Sequence, residues 1–328
     1  MKIAILNDYQ DVVRSLHCFG RLAGHEVRIW TDHTHDYDVL AERLKDVEVL
    51  VPIRERTPIR AALIERLPKL KLISQKGAIL PDALAACTRQ GVVVSSDTQS
   101  AQSVHATAEL NWGLILCAMR RIPQEAAALK AGQWQSGGLG LALHGRTLGI
   151  YGYGKIGATV AGYGKAFGMQ VLVWGREGSL QRAREAGYAT ADSREQLFEQ
   201  SDVLSIQVKL NEDTRHGVTA SDFARMKPTS VFVNTGRAAL VAPGTLEAAL
   251  KAGRPGSAAV DVFEEEPVLN GAHPLLAMGN AICTPHLGYY ERDVYEMRFA
   301  GIFDQILAYA SGRPIGVMNP EVLAPKSN

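Results

Sequence analysis

The sequence predicts an α/β protein built from two doubly wound, parallel-sheet domains, and three observations predict it. Short apolar runs alternate with helical stretches along nearly the whole chain, the pattern of parallel sheets with helices on both faces. That alternation breaks once, at a long apolar helix followed by a glycine-rich stretch, and then begins again. The length, 328 residues, suits about two domains of ordinary size.

In the first series, Ile3–Leu6, Glu26–Trp30, Val47–Val51, Leu70–Ser74 and Val92–Ser95 read as strands. Tyr37–Lys45, Ile59–Leu67 and Ala83–Gln90 read as helices between them, the last closed by Gly91. From Ser103 to Met119 the residues are apolar nearly all round, which predicts a helix buried between domains or subunits. Gly132 to Gly145 is a glycine-rich loop. The second series has strands at Thr147–Tyr151, Val171–Trp174, Val203–Val208, Ser230–Asn234, Ser257–Val262 and Ala281–Thr284, and a helix at Ile156–Phe167. A final helix, Glu291–Ser311, stops at Gly312-Arg313-Pro314.

Composition narrows the function classes. Apolar residues make up 46% and charged residues 21%, with a net charge of +1, so nothing in the balance calls for a nucleic-acid or membrane partner. Cys18, Cys87, Cys117 and Cys283 show no paired spacing and read as reduced thiols of a cytoplasmic protein. Cys283 and His286 lack further ligands at metal spacing, so no metal is expected. The N-terminal apolar run turns polar at Asn7-Asp8, too early for a signal peptide, and no run approaches the ~20 apolar residues of a membrane span. A soluble, cytoplasmic chain is expected.

The most specific motif is Gly152-Tyr153-Gly154-Lys155-Ile156-Gly157, which follows an apolar strand and opens a helix. The first glycine permits a tight turn, the second lets the backbone approach a pyrophosphate, and the third lets helix and strand pack closely. The helix N-terminus, from Lys155 and Ile156 onward, offers free N–H groups to negative charge. The next strand ends in Gly175-Arg176, where NAD-binding units carry a carboxylate for the ribose 2′-hydroxyl. Without that carboxylate, and with Arg176 able to pair with a 2′-phosphate, NADP is the expected cofactor, NAD remaining possible. The pair would favour NADP by ~1–3 kcal/mol. Glu177, adjacent, would weaken the preference if it faced the same pocket.

Arg237, Glu266 and His286 each follow a strand of the second series, so all three can converge at the carboxyl edge of one sheet. Singly, each is an ordinary surface or turn residue. Together they match the needs of a 2-oxo acid reductase. An arginine fork holds the carboxylate and polarises the adjacent carbonyl. Histidine donates the proton that the nascent alkoxide requires, and accepts it in reverse. A carboxylate behind the ring orients it and stabilises its charged form.

These segments, with Ala106-Thr107-Ala108-Glu109-Leu110, Val233–Arg237 (including Thr235), Asp261–Pro267 and Thr284–Gly288, closely resemble the D-isomer-specific 2-hydroxyacid dehydrogenase family. The resemblance runs from Leu70 to Pro320. It implies that Arg237 binds substrate, that His286 is the acid/base paired with Glu266, and that Asp261 contacts the nicotinamide carboxamide, with Thr107 and Thr235 also at the cofactor. It further implies a Rossmann-type cofactor domain, residues 101–287, inserted into a split flavodoxin-like substrate domain, residues 1–100 and 288–328, with the active site in the cleft and a homodimer formed through the cofactor domains.

The chain departs from the family pattern in places. Ala238 stands where a glycine usually follows the arginine, and Gly175-Arg176 looks like the pair of NADP-preferring glyoxylate/hydroxypyruvate reductases. The substrate loop, Gln75 to Asp82, is about two residues short by comparison with the family. Lys76, Gly77 and Ala78 are its candidate carboxylate-binding residues, through backbone N–H groups and the lysine charge. The resulting expectation is a reductase of small 2-oxo acids of the glyoxylate/hydroxypyruvate type. The alternatives are a phosphoglycerate-dehydrogenase-like enzyme, disfavoured because the chain ends soon after Pro320, and a non-catalytic NAD(P)-binding regulatory protein. A formate-dehydrogenase-like reading is disfavoured by Glu266, where relatives of that kind carry an amide.

Overall fold

A computed structural model describes residues 1–54, 56–97 and 104–324. In chain order the elements are β1 (Lys2–Ile5), β2 (Glu26–Ile29), α1 (Tyr37–Leu44), β3 (Val49–Val51), α2 (Ala61–Ile64), β4 (Leu72–Gln75), α3 (Pro81–Gln90), β5 (Val93–Ser96), α4 (Val104–Arg120) and α5 (Ile122–Lys130). There follow β6 (Thr147–Tyr151), α6 (Lys155–Ala166), β7 (Gln170–Trp174), α7 (Glu177–Glu185), β8 (Ala189–Thr190), α8 (Arg194–Gln200), β9 (Val203–Ile206) and α9 (Ala220–Arg225). The chain ends with β10 (Val231–Asn234), α10 (Thr245–Lys251), β11 (Ser257–Val260), β12 (Ala281–Cys283) and α11 (Arg292–Ala310).

The chain divides into two compact units, Met1–Gln102 with Arg292–Asn328, and Ser103–Glu291. The first holds a five-stranded sheet in the order β2-β1-β3-β4-β5, the flavodoxin-like order. Its strands are parallel, and β3, β4 and β5 are buried throughout. The C-terminal segment completes this unit. Ser74 Oγ on β4 donates to Gln305 Oε1 on α11 at 2.7 Å, and Val317 bridges antiparallel to Ser95.

The second unit holds a seven-stranded parallel sheet in the order β12-β11-β10-β9-β6-β7-β8. Counted from β6, this is the dinucleotide-binding order, and the direction of winding reverses between β6 and β9. Alternate strand residues feed two cores. Leu148, Ile150, Val171, Val173, Val231 and Val233 face one, and Leu172, Leu204, Ile206, Phe232 and Val260 the other. Each large side chain so buried contributes about 1.5–3 kcal/mol. The parallel crossovers put helices over both faces and leave the strand carboxyl ends for loops.

Several expected elements differ. The helix read over Ile59–Leu67 is one α turn, Ala61–Ile64. Beyond it, Arg66 and Leu67 bond to carbonyls three residues back, the tighter 3₁₀ pattern, and Pro68 bars any continuation. The strand read to Val208 ends at Ile206, and that read to Val262 ends at Val260. The long apolar helix is not buried all round within the chain. Ala108, Trp112, Leu114, Ile115 and Met119 are buried, with α6 and β10 among its neighbours, while Leu110, Leu116 and Cys117 are half-buried. Its expected start, Ser103, lies outside the described residues. Helices α5, α7, α8, α9 and α10 and the two-residue β8 were not expected from the sequence.

Candidate active site

The glycine turn is tight where the strand enters it and open where a ligand would approach. Gly152 has φ +100°, and a Cβ there would stand 2.8 Å from the Val208 nitrogen. A Cβ on Gly157 would stand 2.2 Å from the Gly152 oxygen, so only glycine lets α6 pack this close. At Gly154 a Cβ would meet nothing within 4 Å. Gly154 is the N-cap of α6 and offers no side-chain cap, leaving the first-turn N–H groups for an anion. Arg182 Nη2 donates to the Tyr153 oxygen at 3.0 Å and pins the turn from α7. A dinucleotide pyrophosphate fits this arrangement of donors and open space.

The end of β7 comes close to the same turn. A Cβ on Gly175 would lie 3.6 Å from the Gly152 Cα. Arg176 follows, its Nη2 3.4 Å from Asp213 Oδ2, with both side chains largely exposed, 74% and 82%. Glu177 pairs with Arg184 at 2.8 Å.

The polar groups beyond β10, β11 and β12 are tied together more firmly. Asn234, the last residue of β10, shapes the turn after it: its Oδ1 accepts from the Gly236 N–H at 3.0 Å and its Nδ2 donates to the Arg237 oxygen at 3.0 Å. The Arg237 side chain is then exposed, with Nη1 donating to the Gly236 oxygen at 2.8 Å. Thr235 is buried, its Oγ1 3.0 Å from Asn111 Nδ2, which also donates to Ser205 Oγ.

Asp261 is fully buried at the end of β11. Its Oδ1 accepts from Thr284 Oγ1 at 2.6 Å and the Leu287 N–H at 2.7 Å, and its Oδ2 from the Gly288 N–H at 2.8 Å. Burial pushes this carboxyl up from the usual range, against those three donors. Thr107 Oγ1, on α4, donates to the Gly288 oxygen at 2.7 Å. Asp261 and Thr107 thus grip both sides of the loop that carries His286.

His286 sits at φ +53°, a left-handed conformation uncommon outside glycine, and its N–H reaches back to the Thr284 oxygen at 3.0 Å. Its Nδ1 lies 2.6 Å from Glu266 Oε2. A carboxylate accepts only, so Nδ1 carries the proton and Nε2 faces away from the pair. Glu266 Oε1 accepts from the Phe263 N–H at 3.0 Å. Burial works against the Glu266 charge, but the bond to His286, its charge, the Phe263 N–H and Arg237 together hold the carboxyl below the usual range. The Tyr289 ring stands edge-on to the imidazole at 5.5 Å. Cys283, beside this loop, has its thiol pushed up to about 11 by burial.

The structure therefore brings Glu266 and His286 into contact, with Arg237 near enough to influence the Glu266 carboxyl, all in the unit that holds the glycine turn. Thr107, Thr235 and Asp261, expected at the cofactor, have side-chain atoms engaged inside the protein, with free acceptor capacity remaining on Asp261 Oδ2. Lys76, Gly77 and Ala78 belong to the other unit, just after β4. Lys76 is nearly enclosed, with Nζ 3.4 Å from Asp97 Oδ2, and Gly77 has φ +124°. The lysine charge is partly neutralised there by Asp97. Sequence reasoning missed Asn111, Arg182, Asp213, Thr284 and Tyr289. Only Thr284 and Tyr289, flanking His286, carried a positional hint. Among the described residues no group of three or more His, Cys, Asp or Glu side chains is placed to hold a metal ion.

Comparison with known proteins agrees with this geometry. Residues 112–288 match the D-isomer specific 2-hydroxyacid dehydrogenase, NAD binding domain. The chain is 34% identical to a glyoxylate reductase of Aeropyrum pernix, over 91% of each chain. It is 36% identical to a D-3-phosphoglycerate dehydrogenase of Methanocaldococcus jannaschii, over 85% of this chain but 52% of that one. Among solved structures, a Ralstonia solanacearum chain named, provisionally, as a D-3-phosphoglycerate dehydrogenase oxidoreductase superposes with a TM-score of 0.92 at 53% identity, covering 99% of this chain and 98% of that one. On the sheet orders, the loop geometry and these matches, the chain belongs to the D-isomer-specific 2-hydroxyacid dehydrogenase family.

Proposed function

We propose that the protein reduces a small, unbranched 2-oxo acid of the glyoxylate or hydroxypyruvate type to its D-2-hydroxy acid, with NADPH preferred over NADH. The observation that carries the chemistry is the 2.6 Å contact between His286 Nδ1 and Glu266 Oε2 on a loop held by Asp261. In this reading residues 103–291 bind the cofactor, and the backbone N–H groups of Gly77 and Ala78 are substrate contacts. Gly152, Gly154, Lys155, Ile156 and Gly157 would hold the pyrophosphate. When bound, the reduced nicotinamide supplies the hydride to the carbonyl carbon.

The protein's own groups do the rest. Arg237 holds the substrate carboxylate and polarises the carbonyl oxygen through its fork. His286 presents Nε2–H to that oxygen and gives up the proton as the alkoxide forms. Glu266 stabilises the imidazolium beforehand and keeps the ring oriented afterward. Asp261 and Thr107 act as positioning residues for the loop. Arg176 and the small Gly175 receive the 2′-phosphate, and the engagement of Glu177 with Arg184 supports this by drawing a carboxylate aside.

Two further readings complete the proposal. The chain forms a homodimer through α5 and the segment after it, where Ile122, Leu129, Trp134 (77% exposed) and Leu139 (98% exposed) leave apolar surface uncovered. Light scattering should give twice the chain mass. It resides in the cytoplasm, supported by four cysteines without disulfides, and among the described residues no helix is long and apolar enough to cross a membrane.

The test is a panel of glyoxylate, hydroxypyruvate, pyruvate and 3-phosphohydroxypyruvate, each with NADPH and NADH, followed by loss of nicotinamide absorbance. The highest kcat/KM should fall on glyoxylate or hydroxypyruvate with NADPH. A maximum on the phosphorylated acid, or no turnover of any, would refute it.

A further inference from the structure

The turn that carries Glu266 is gripped by a second histidine–carboxylate pair. His273 Nε2 lies 3.1 Å from Oε2 of Glu264, which stands just before Glu265 and Glu266 in the chain. The Leu275 N–H donates to His273 Nδ1 at 3.3 Å, so Nδ1 is an acceptor and Nε2–H is the donor to Glu264. With both nitrogens engaged, the imidazole is fixed in tautomer and in angle. Its side chain is only 14% exposed, while that of Glu264 is 46% exposed.

The same ring touches the residue that holds Glu266. Phe263 is buried, and its ring meets the His273 ring edge-on at 4.9 Å. The Phe263 N–H donates to Glu266 Oε1 at 3.0 Å, and Glu266 Oε2 faces His286 Nδ1 at 2.6 Å. Glu266 thus has one oxygen on the Phe263 backbone and the other on the imidazole. Its aim at His286 depends on where that N–H stands, and a contact this short tolerates little displacement. His273 takes hold of Phe263 through its ring and of Glu264 through its carboxylate, on either side of the peptide that joins them. His273 also caps the short 3₁₀ turn Pro274–Ala277. A cap needs one acceptor, which asparagine would supply, so capping leaves the second nitrogen and the ring contact without a purpose.

We propose that His273 is a positioning residue for the reaction. It holds the Phe263–Glu264 backbone so that Glu266 meets His286 in the short contact, and it acts through Glu266 rather than on the reacting atoms. This rests on the acid/base roles proposed above for His286 and Glu266.

The test uses the full chain with His273→Asn, which keeps an acceptor for the Leu275 N–H but falls short of Glu264. For 2-oxo acid reduction kcat should fall roughly tenfold, with KM changed less than about twofold. The His286 Nδ1–H proton resonance of ¹⁵N-labelled protein, assigned by its loss in His286→Gln, should move upfield and exchange faster with water as the bond to Glu266 lengthens. Glu264→Ala should reproduce both changes, and combining it with His273→Asn should cost little more, because the two residues act as one unit. Glu264→Gln, which keeps an acceptor for Nε2–H, should restore most of the activity. A lower melting temperature with kcat and the His286 resonance as in wild type would make His273 a helix cap only and overturn the proposal. A raised KM with unchanged kcat would overturn it too, by placing His273 in substrate binding. The resonance is read without substrate. A wild-type protein that reduced none of the acids would therefore refute the functional reading alone, and the response of the resonance to His273→Asn would still decide the coupling.

Discussion

The loop around His286 and the edge around Arg176 lie in the same unit, yet they hold their charges in opposite ways. At His286 the protein supplies every partner itself: Asp261 accepts three hydrogen bonds, Thr107 caps the far side, and Glu266 meets the imidazole at 2.6 Å. At Arg176 the partner is the exposed Asp213 carboxylate at 3.4 Å. The difference teaches where rigidity is useful. Proton transfer depends steeply on distance and angle, and in the role proposed for them His286 and Glu266 are fixed before substrate arrives. The cofactor discrimination proposed for Arg176 needs only a charge within reach, and a loosely held guanidinium can supply it.

Arg237 offers the most direct test. Arg237→Ala should reduce kcat/KM by roughly 3–5 kcal/mol, with KM raised and kcat lowered together. An unchanged KM in steady-state assays would remove it from substrate binding. Asp261→Ala should be next, leaving two backbone N–H groups and a hydroxyl without their acceptor. A loss of about 2–4 kcal/mol in denaturant stability is expected, together with loss of activity. Stability unchanged from wild type would mean that the His286 loop is held by something else.

Glu266→Gln tests the pair through activity and through stability against pH. An amide oxygen holds the His286 Nδ1–H less strongly than a carboxylate, so kcat for reduction should fall if the proposed roles hold. Stability gives a second reading with a definite sign. The Glu266 carboxyl is held below its usual range in the folded protein. Its contribution is therefore present above the ordinary carboxylate pKa of about 4.3 and is lost as pH falls through the lower folded value. The Gln variant should lack that part of the acid-side loss, and coincident profiles for the two proteins would argue that the pair does not form. Asp213→Asn should have the smallest effect. By freeing Arg176 it should improve the KM for NADPH roughly two- to fivefold while leaving that for NADH unchanged. Equal change for both cofactors would place Arg176 away from the 2′-phosphate.

Much of this was legible in the residues. The glycine turn and the strand-end positions of Arg237, Glu266 and His286 follow from local pattern, because strand, turn and helix are short-range events with strong signatures. The supporting partners were not. Asn111 and Thr235 are far apart in the chain and meet only because α4 packs near β10. Arg182 reads as one more charge on a polar helix until the fold sets it against the Tyr153 carbonyl. The engagement of Lys76 with Asp97 likewise depends on β4 and β5 lying side by side. α7, with little beyond Leu180 and Ala183 buried, has too faint an apolar stripe to be read in advance.

The strand leading to the imidazole has a further consequence. β12 is three residues long and stands at the rim of its sheet, bonded to β11 alone. Rims fray before centres do. Warming should therefore unzip His286 from Glu266 while the remaining strands stay paired, so the proposed catalysis would fade at a lower temperature than the one at which the molecule melts.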